Sequence, residues 1–284
     1  MTDQHETVKY KGAPLSPGLA MGRAFVYQDV MLREQEHYDI RPEEVDGEQK
    51  RIEKAIEQVK LDLHDTARKV ERQVEKKVAG IFDAQKSMLD DPQLLEEMRN
   101  KLTTDLVNAE HVVQAVFRRW ERKFRNMQDE SMRERAADVA DVGRRLLLLL
   151  MGIQAHTLEE MPRDSVLIAR RLLPSDTVYL SGESTAAVVL EFGGPLSHAA
   201  ILTRELGVPA VTHIRRVLHR VQPDDEVFVD GDEGLIIVQP DPPTREQLAG
   251  RIERQNEQLI RVQTHSQEPA VAATGEAIAV LANV

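Results

Sequence analysis

The sequence predicts an α/β domain interrupted by a bundle of long helices, and three observations carry that prediction. From about Arg41 to Gly152 proline is nearly absent and Glu, Lys, Arg, Gln, Leu and Ala dominate, which is helical texture. After Gly152, short β-branched runs bounded by turn residues alternate with helical patches, which is the texture of an α/β domain. Ahead of both, residues 8–28 are punctuated by Gly and Pro and close on a strand-like Ala24–Tyr27. The bundle is therefore expected as an insertion after the first strand.

Composition bounds the rest. A chain of 284 residues has room for roughly two domains of about 100–200 residues each. Hydrophobic residues make up 41% and charged residues 30%, the balance of a soluble globular protein. No apolar run approaches the ~20 residues of a membrane span, and Leu146–Met151, the longest, is short enough to be a buried helix turn. The N-terminal MTDQHETVKYKG has no signal-peptide core. With no cysteine, disulfide and thiol chemistry are excluded, which is compatible with a cytoplasmic location. The net charge of −11 argues against a general grip on nucleic acid and would steer a basic protein partner toward the chain.

Each element has a local reason. Ile52, Ile56, Val59, Leu63, Ala67, Val70 and Val74 recur in steps of three and four, marking one stripe of a long helix that ends near Gly80. A second helix carries Ile81, Phe82, Met88 and Leu89. Asp90-Asp91-Pro92 reads as a stop and restart, with proline at a first turn. Two more helices are expected over about Asn108–Met127 and Ser131–Met151, so that four antiparallel helices with short loops form the bundle. Beyond it, Ser165–Ala169, Ala186–Leu190, Pro209–Thr212, Glu226–Asp230 and Gly234–Val238 read as strands, with helical patches at Ser175–Ser181 and Ser197–Leu206. Thr244 to about His265 is a charged linker helix, and the closing AIAVLANV is an apolar strand that would open a further domain.

The chemistry concentrates in GGPLSHAAILTRELGVPAV, residues 193–211. Ser197 is a good N-cap, and Gly193 and Gly194 permit unusual backbone angles and bare-backbone approach of a ligand. Unpaired N–H groups and the dipole make a helix start an anion site, and a neutral imidazole there, at His198, is a nucleophile that can form a phosphoramidate. A histidine behind Gly-Gly is ordinarily a turn residue, and Ser197 or His198 could instead serve a hydrolase. The nucleophile elbow G-x-S-x-G is missing, however, because Ala199 stands two residues after Ser197. His5, His37, His64, His111, His156, His213, His219 and His265 show no paired spacing typical of metal ligands, and no carboxylate set forms a Mg²⁺ constellation.

The same stretch resembles the phosphohistidine signature of the phosphoenolpyruvate-utilising enzymes: enzyme I of the sugar phosphotransferase system, pyruvate phosphate dikinase and phosphoenolpyruvate synthase. GAPLSPGLAMGRAFVY (12–27), ERAADVADVGRRLLLLLMG (134–152) and LIARRLLPSDTVYL (167–180) are similar to enzyme I in particular, in the same order along nearly the whole chain. The resemblance implies a swivelling α/β phosphohistidine domain (1–35 plus 153–240) with an inserted four-helix-bundle carrier-binding subdomain (36–152). A linker helix (241–270) and the start of a phosphoenolpyruvate-binding barrel (271–284) would follow. It implies His198 as the phosphoacceptor at Nε2, with Thr177 bonding the imidazole and Gly193, Gly194 and Ser197 in the phosphate turn. Arg135, Phe82, Met88 and Leu89 would meet a histidine-containing phosphocarrier protein.

Phosphoenolpyruvate and Mg²⁺ would bind the barrel and no cofactor this portion, which would be monomeric although the full enzyme dimerises through the barrel. Two departures stand out. Leu196 replaces the usual threonine of enzyme I, closer to the dikinases and synthases, and Lys76 and Lys77 stand where glutamates are usual. The runner-up readings are a dikinase or synthase phosphohistidine domain, for which no Gly-rich nucleotide loop is present, and a non-enzymatic regulator that only binds a partner.

Overall fold

The computed structural model describes residues 7–33, 36–73, 84–153, 157–182, 184–195 and 197–266. Eight strands form one mixed sheet: β1 (Val8–Lys11), β2 (Ala13–Ser16), β3 (Leu19–Tyr27), β4 (Ser165–Ala169), β5 (Thr185–Leu190), β6 (Ala210–Thr212), β7 (Glu226–Asp230) and β8 (Leu235–Val238), in the order β1-β8-β7-β3-β4-β5-β6-β2. β3 serves two partners, pairing antiparallel with β7 over Leu19–Arg23 and parallel with β4 over Arg23–Tyr27. The parallel run continues through β5 to β6, and β2 closes it antiparallel.

β1 and β2 occupy opposite ends of this order, yet Gly12 alone connects them. The sheet must therefore curl until its two edges meet at Gly12, whose N–H donates to the Gly234 carbonyl at 2.8 Å, carrying the β1–β8 ladder one residue past Lys11. A Cβ on Gly12 would lie 2.2 Å from the Thr212 carbonyl oxygen. Gly12→Ala is therefore expected to cost about 1–3 kcal/mol through overpacking. A lowered thermal midpoint with unchanged far-ultraviolet circular dichroism at 20 °C checks this.

The bundle enters after the third strand rather than the first. VKYK and APLS are four-residue runs either side of Gly12, too short to stand as strands alone, and they are held in the sheet by distant partners, β8 and β6. Its labelled helices are α1 (Val45–Gln73), α2 (Pro92–Asp105), α3 (Ala109–Arg125) and α4 (Glu130–Leu150), and residues 84–89 are also helical. Asp91 caps α2 through Gln93 N at 2.8 Å with Pro92 in the first turn, and Asp129 caps α4 through Met132 N. Ile52, Ile56, Val59 and Leu63 of the α1 stripe are buried against Val112, Val116 and Phe117 of α3 and Val142 and Leu146 of α4 in one core. Gly143 lets α4 lie close to α3, since a Cβ there would stand 2.7 Å from Phe117 Cβ. Gly80, Ile81, Phe82, Lys76, Lys77 and residues 271–284 lie outside the described residues.

In the α/β part, alternate residues of one strand face opposite ways. Ala187 and Val189 of β5 join the core inside the curled sheet, while Val188 and Leu190 face α5 (His198–Glu205). α6 (Pro242–Ser266) packs Leu248 onto Phe228 and Ile237.

A buried polar network joins the two parts. Arg144 of α4, only 2% exposed at its side chain, pairs with Asp176 at 2.5 Å and Asp141 at 3.1 Å. It also donates to Tyr27 Oη at 2.7 Å and to Ser175 Oγ. Tyr27 in turn donates to Asp176 at 3.0 Å. Burial opposes the Arg144 charge, but Asp176 and Asp141 outweigh it and hold the guanidinium pKa above its ordinary value.

A second contact ties down the segment ahead of α1. The rings of His37 and His111 stand 5.0 Å apart, and Asp39 bridges Val107. Burial first, then His37, Lys101 and Arg118, push the His111 pKa below the usual imidazole range, with Asp105 opposing. The folded chain then binds fewer protons there than the unfolded chain, so this stability is present above about pH 6.5 and lost as pH falls. His111→Gln is expected to flatten the fall in thermal midpoint between pH 7 and pH 5, measured by thermal denaturation.

Candidate functional site

β5 ends at Leu190, and the chain turns through Glu191–Pro195 before α5 begins. Ser197 is extended (φ −65°, ψ 153°), and its Oγ accepts from Ala200 N at 3.3 Å, so it is the N-cap. The backbone of His198 is the first of the helix. The N–H groups of His198 and Ala199 have no acceptor within the helix, which gives this end its pull on an anion. Ala199 and Ala200 seat the inner face of α5 on the sheet, so the helix start is fixed by packing. Arg204, one turn on from Ala200, reaches back to the Ala200 carbonyl at 2.9 Å and to the Pro195 carbonyl, clamping the turn.

Gly193 and Gly194 hold the turn without the backbone freedom expected of them, since neither has a positive φ. The Gly193 carbonyl accepts from Thr212 Oγ1 at 3.2 Å, and a Cβ there would come into ordinary contact with Leu190 and Thr212. At Gly194 a Cβ would meet nothing within 4 Å, so that position offers bare backbone to whatever approaches.

Thr177 lies in the 3-10 helix Pro174–Tyr179, which packs against α5. Its Oγ1 donates to the Pro174 carbonyl at 2.6 Å, so toward an imidazole this hydroxyl is left as an acceptor. The turn is held by Asp176, whose Oδ2 accepts from Leu173 N at 2.6 Å and whose other oxygen meets Arg144 and Tyr27. The inter-domain network thus ends one residue from Thr177.

A cavity of about 550 Å³ opens between the bundle and the turn before α5, with Gly193, Gly194 and Ser197 on one side and Arg125, Arg133 and Arg171 on the other. Arg125 and Arg171 both pair with the buried carboxylate of Glu121, and Arg171 also lies 3.6 Å from Asp29. Burial raises the Asp29 pKa, against the pull of Arg144 and Arg171. Sequence reading missed these arginines. Each reads alone as a solvated helix or loop charge, and only their convergence on one cavity marks them.

The expected docking residues separate. Arg135 is exposed on α4 and Met88 is half-buried. Leu89 is not a surface residue: it is 0% exposed, inside the bundle core, on the same side of its helix as Gln85, which donates to Asp141 of α4. Phe82 and Leu196 lie outside the described residues. Among the described residues, no three His, Asp or Glu side chains are placed to hold a metal ion, and no helix is long and apolar enough to cross a membrane.

Two family models match the chain: "PEP-utilising enzyme, N-terminal" over residues 11–135 and "PEP-utilising enzyme, mobile domain" over residues 161–234. Phosphoenolpyruvate-protein phosphotransferases of Priestia megaterium and Geobacillus stearothermophilus are each 31% identical to it, over 98% and 96% of this chain and 48% and 47% of their own. That of Staphylococcus epidermidis is 31% identical over 81% of this chain and 40% of its own. The chain thus spans about half or less of the length of these curated relatives. An NMR solution structure of Enzyme I (nEIt) aligns with TM-score 0.64 and 33% identity, covering 87% of this chain and 99% of that one. The N-terminal domain of Enzyme 1 - Nitrogen shares the fold at TM-score 0.51 and 24% identity, covering 86% of this chain and 99% of that one.

Proposed function

Since this chain belongs to the PEP-utilising enzyme family, we propose that it is the phosphoryl-relay portion of a phosphoenolpyruvate-protein phosphotransferase, with His198 as the relay. In the whole enzyme phosphoenolpyruvate would phosphorylate His198, and a small phosphocarrier protein would take the phosphoryl group onto a histidine of its own. In the whole enzyme the donor site, with Mg²⁺, would lie on a separate barrel domain, and the reaction would take place in the cytoplasm. The single observation that carries this reading is the N-capped start of α5 with His198 as its first residue, opening beside a cavity at the bundle.

The chemistry is a displacement at phosphorus. With phosphoenolpyruvate as donor, His198 Nε2 would attack phosphorus as the P–O bond to the enol oxygen breaks and enolpyruvate leaves. In exchange with the carrier the N–P bond of a phosphohistidine breaks, and the departing imidazole leaves neutral once protonated, so that step is reversible. Attack needs a free lone pair on Nε2, hence a proton on Nδ1. Because the Thr177 proton is already spent on Pro174, its oxygen suits an incoming Nδ1–H and would fix that tautomer. First-turn N–H groups and the cavity arginines then offset the phosphoryl charge in a transfer governed by positioning and electrostatics.

The test is exchange with a radiolabelled phosphocarrier protein. Label should reach the wild-type chain and return to unlabelled carrier, and it should not reach the His198→Ala variant. Label on both proteins, or on neither, rejects the assignment.

A further inference from the structure

Basic side chains gather at one end of the bundle although the chain as a whole carries a charge of −11. Arg119, Arg122, Lys123 and Arg125 lie on the last two turns of α3, and Arg133 and Arg135 on the opening turns of α4, all of them exposed. Among the described side chains, the acids nearby are occupied. Glu97 accepts from the Trp120 indole at 2.9 Å and pairs with Arg119 at 3.1 Å. Glu121 is buried between Arg125 and Arg171, and Asp129 caps α4. Among the described residues Arg122 and Arg135 have no ion-pair partner, and Arg133 spends its guanidinium on the neutral carbonyls of Met127 and Gln128. Arg122 and Arg125 share a helix face at i, i+3, and Arg125 and Arg133 carry the strip into the cavity opposite Gly193 and Gly194.

We propose that this strip docks a protein partner whose face around its phosphoryl-bearing histidine is acidic. The proposal rests on the relay reading above and adds the charge class of the carrier. Among the described side chains the charges of Arg122, Arg133 and Arg135 meet no carboxylate, and an anionic face would supply one. At physiological ionic strength charges are screened over about 8 Å, so a partner at contact distance meets the strip rather than the remote acidic surface. The steering expected from the net charge, toward a basic partner, is thus reversed at the docking site. A phosphoryl group on the partner's histidine adds to the fit, since it would enter the arginine-lined cavity. A nucleic acid fits less well, because a polyanion extending past the strip meets the acidic remainder of the chain.

The probes are a histidine phosphocarrier with an acidic docking face and its variant with those acids changed to lysine. Affinity is read by titration calorimetry and phosphoryl exchange by radiolabel. The acidic form should bind and exchange about tenfold better at low salt, with the advantage shrinking as salt rises. Arg122→Glu with Arg135→Glu, both at exposed positions, should invert that preference. Equal affinity for both forms, preference for the lysine form, or tighter binding of a single-stranded oligonucleotide than of either carrier overturns the proposal. Phosphoramidate, which delivers its phosphoryl group to histidine and releases ammonia, should label His198 equally in wild type and in the charge-swapped variant. Failure to label wild type sinks the relay reading alone, because the calorimetry still decides the docking.

Discussion

Replacing His198 with alanine should abolish phosphoryl acceptance, a loss on the order of 10⁴-fold or more, down to background. No neighbour can substitute, because a covalent relay needs a nucleophilic nitrogen at that site. Ser197 already spends its oxygen on Ala200 N. The fold should survive, since the helix is capped by Ser197 and its inner face is seated by Ala199 and Ala200. The change in stability is expected to stay below about 1 kcal/mol. Ser197→Ala makes the contrast, costing about 1 kcal/mol of stability through the lost cap while retaining acceptance above background. Acid-labile label on a single histidine peptide in wild type, absent in His198→Ala with an unchanged thermal midpoint, is the pattern required. Residual labelling of the variant would move the phosphoryl site elsewhere.

Arg144→Met should be the most damaging substitution for stability. It leaves Asp141 and Asp176, both 0% exposed at their side chains, without their shared cation and strips a donor from Tyr27 and Ser175. Breaking a buried pair from one side costs about 3–5 kcal/mol, which for a chain of this size lowers the thermal midpoint by about 10 °C. Arg145 is no substitute: its Nε is 3.8 Å from Asp141, and its side chain is directed a third of a turn away. Removing all the charges together, as Arg144→Met with Asp141→Leu and Asp176→Leu, should recover much of the loss, because the desolvation cost goes with them. A midpoint drop below 2 °C in the single variant would show that the network does not hold the two parts together. The single variant should also slow phosphoryl exchange beyond what its unfolded fraction explains, since Asp176 anchors the turn that carries Thr177.

Local patterning was legible where the signal is local. The α1 stripe, the Asp91-Pro92 restart and the Ser197 cap were read from spacing and side-chain chemistry, and α3, α4 and the strands from β4 to β8 lie within one or two residues of the expected spans. Misreadings fell where partners are far apart in the chain. β1 and β2 are only four residues each and are held as strands by β8 and β6, which lie roughly 200 residues further along the chain. Leu89 reads as a docking residue until the bundle shows which side of its helix is inside. Arg144 and Arg145 are adjacent and chemically alike, yet one is buried and the other is not, and a 100° step around α4 makes that choice.

The sequence by itself determined the class of the fold, the position of His198 at a capped helix start and the family it belongs to, because caps, periodicity and signature residues act over a few positions. The tertiary structure alone decided that the sheet closes at Gly12, that Arg144 is a buried joint and that arginines from α3, α4 and the segment after β4 share one cavity with the Gly193-Gly194 turn. Those arrangements depend on which distant surfaces come together when apolar area is buried, and residues so far apart along the chain carry no mark of one another.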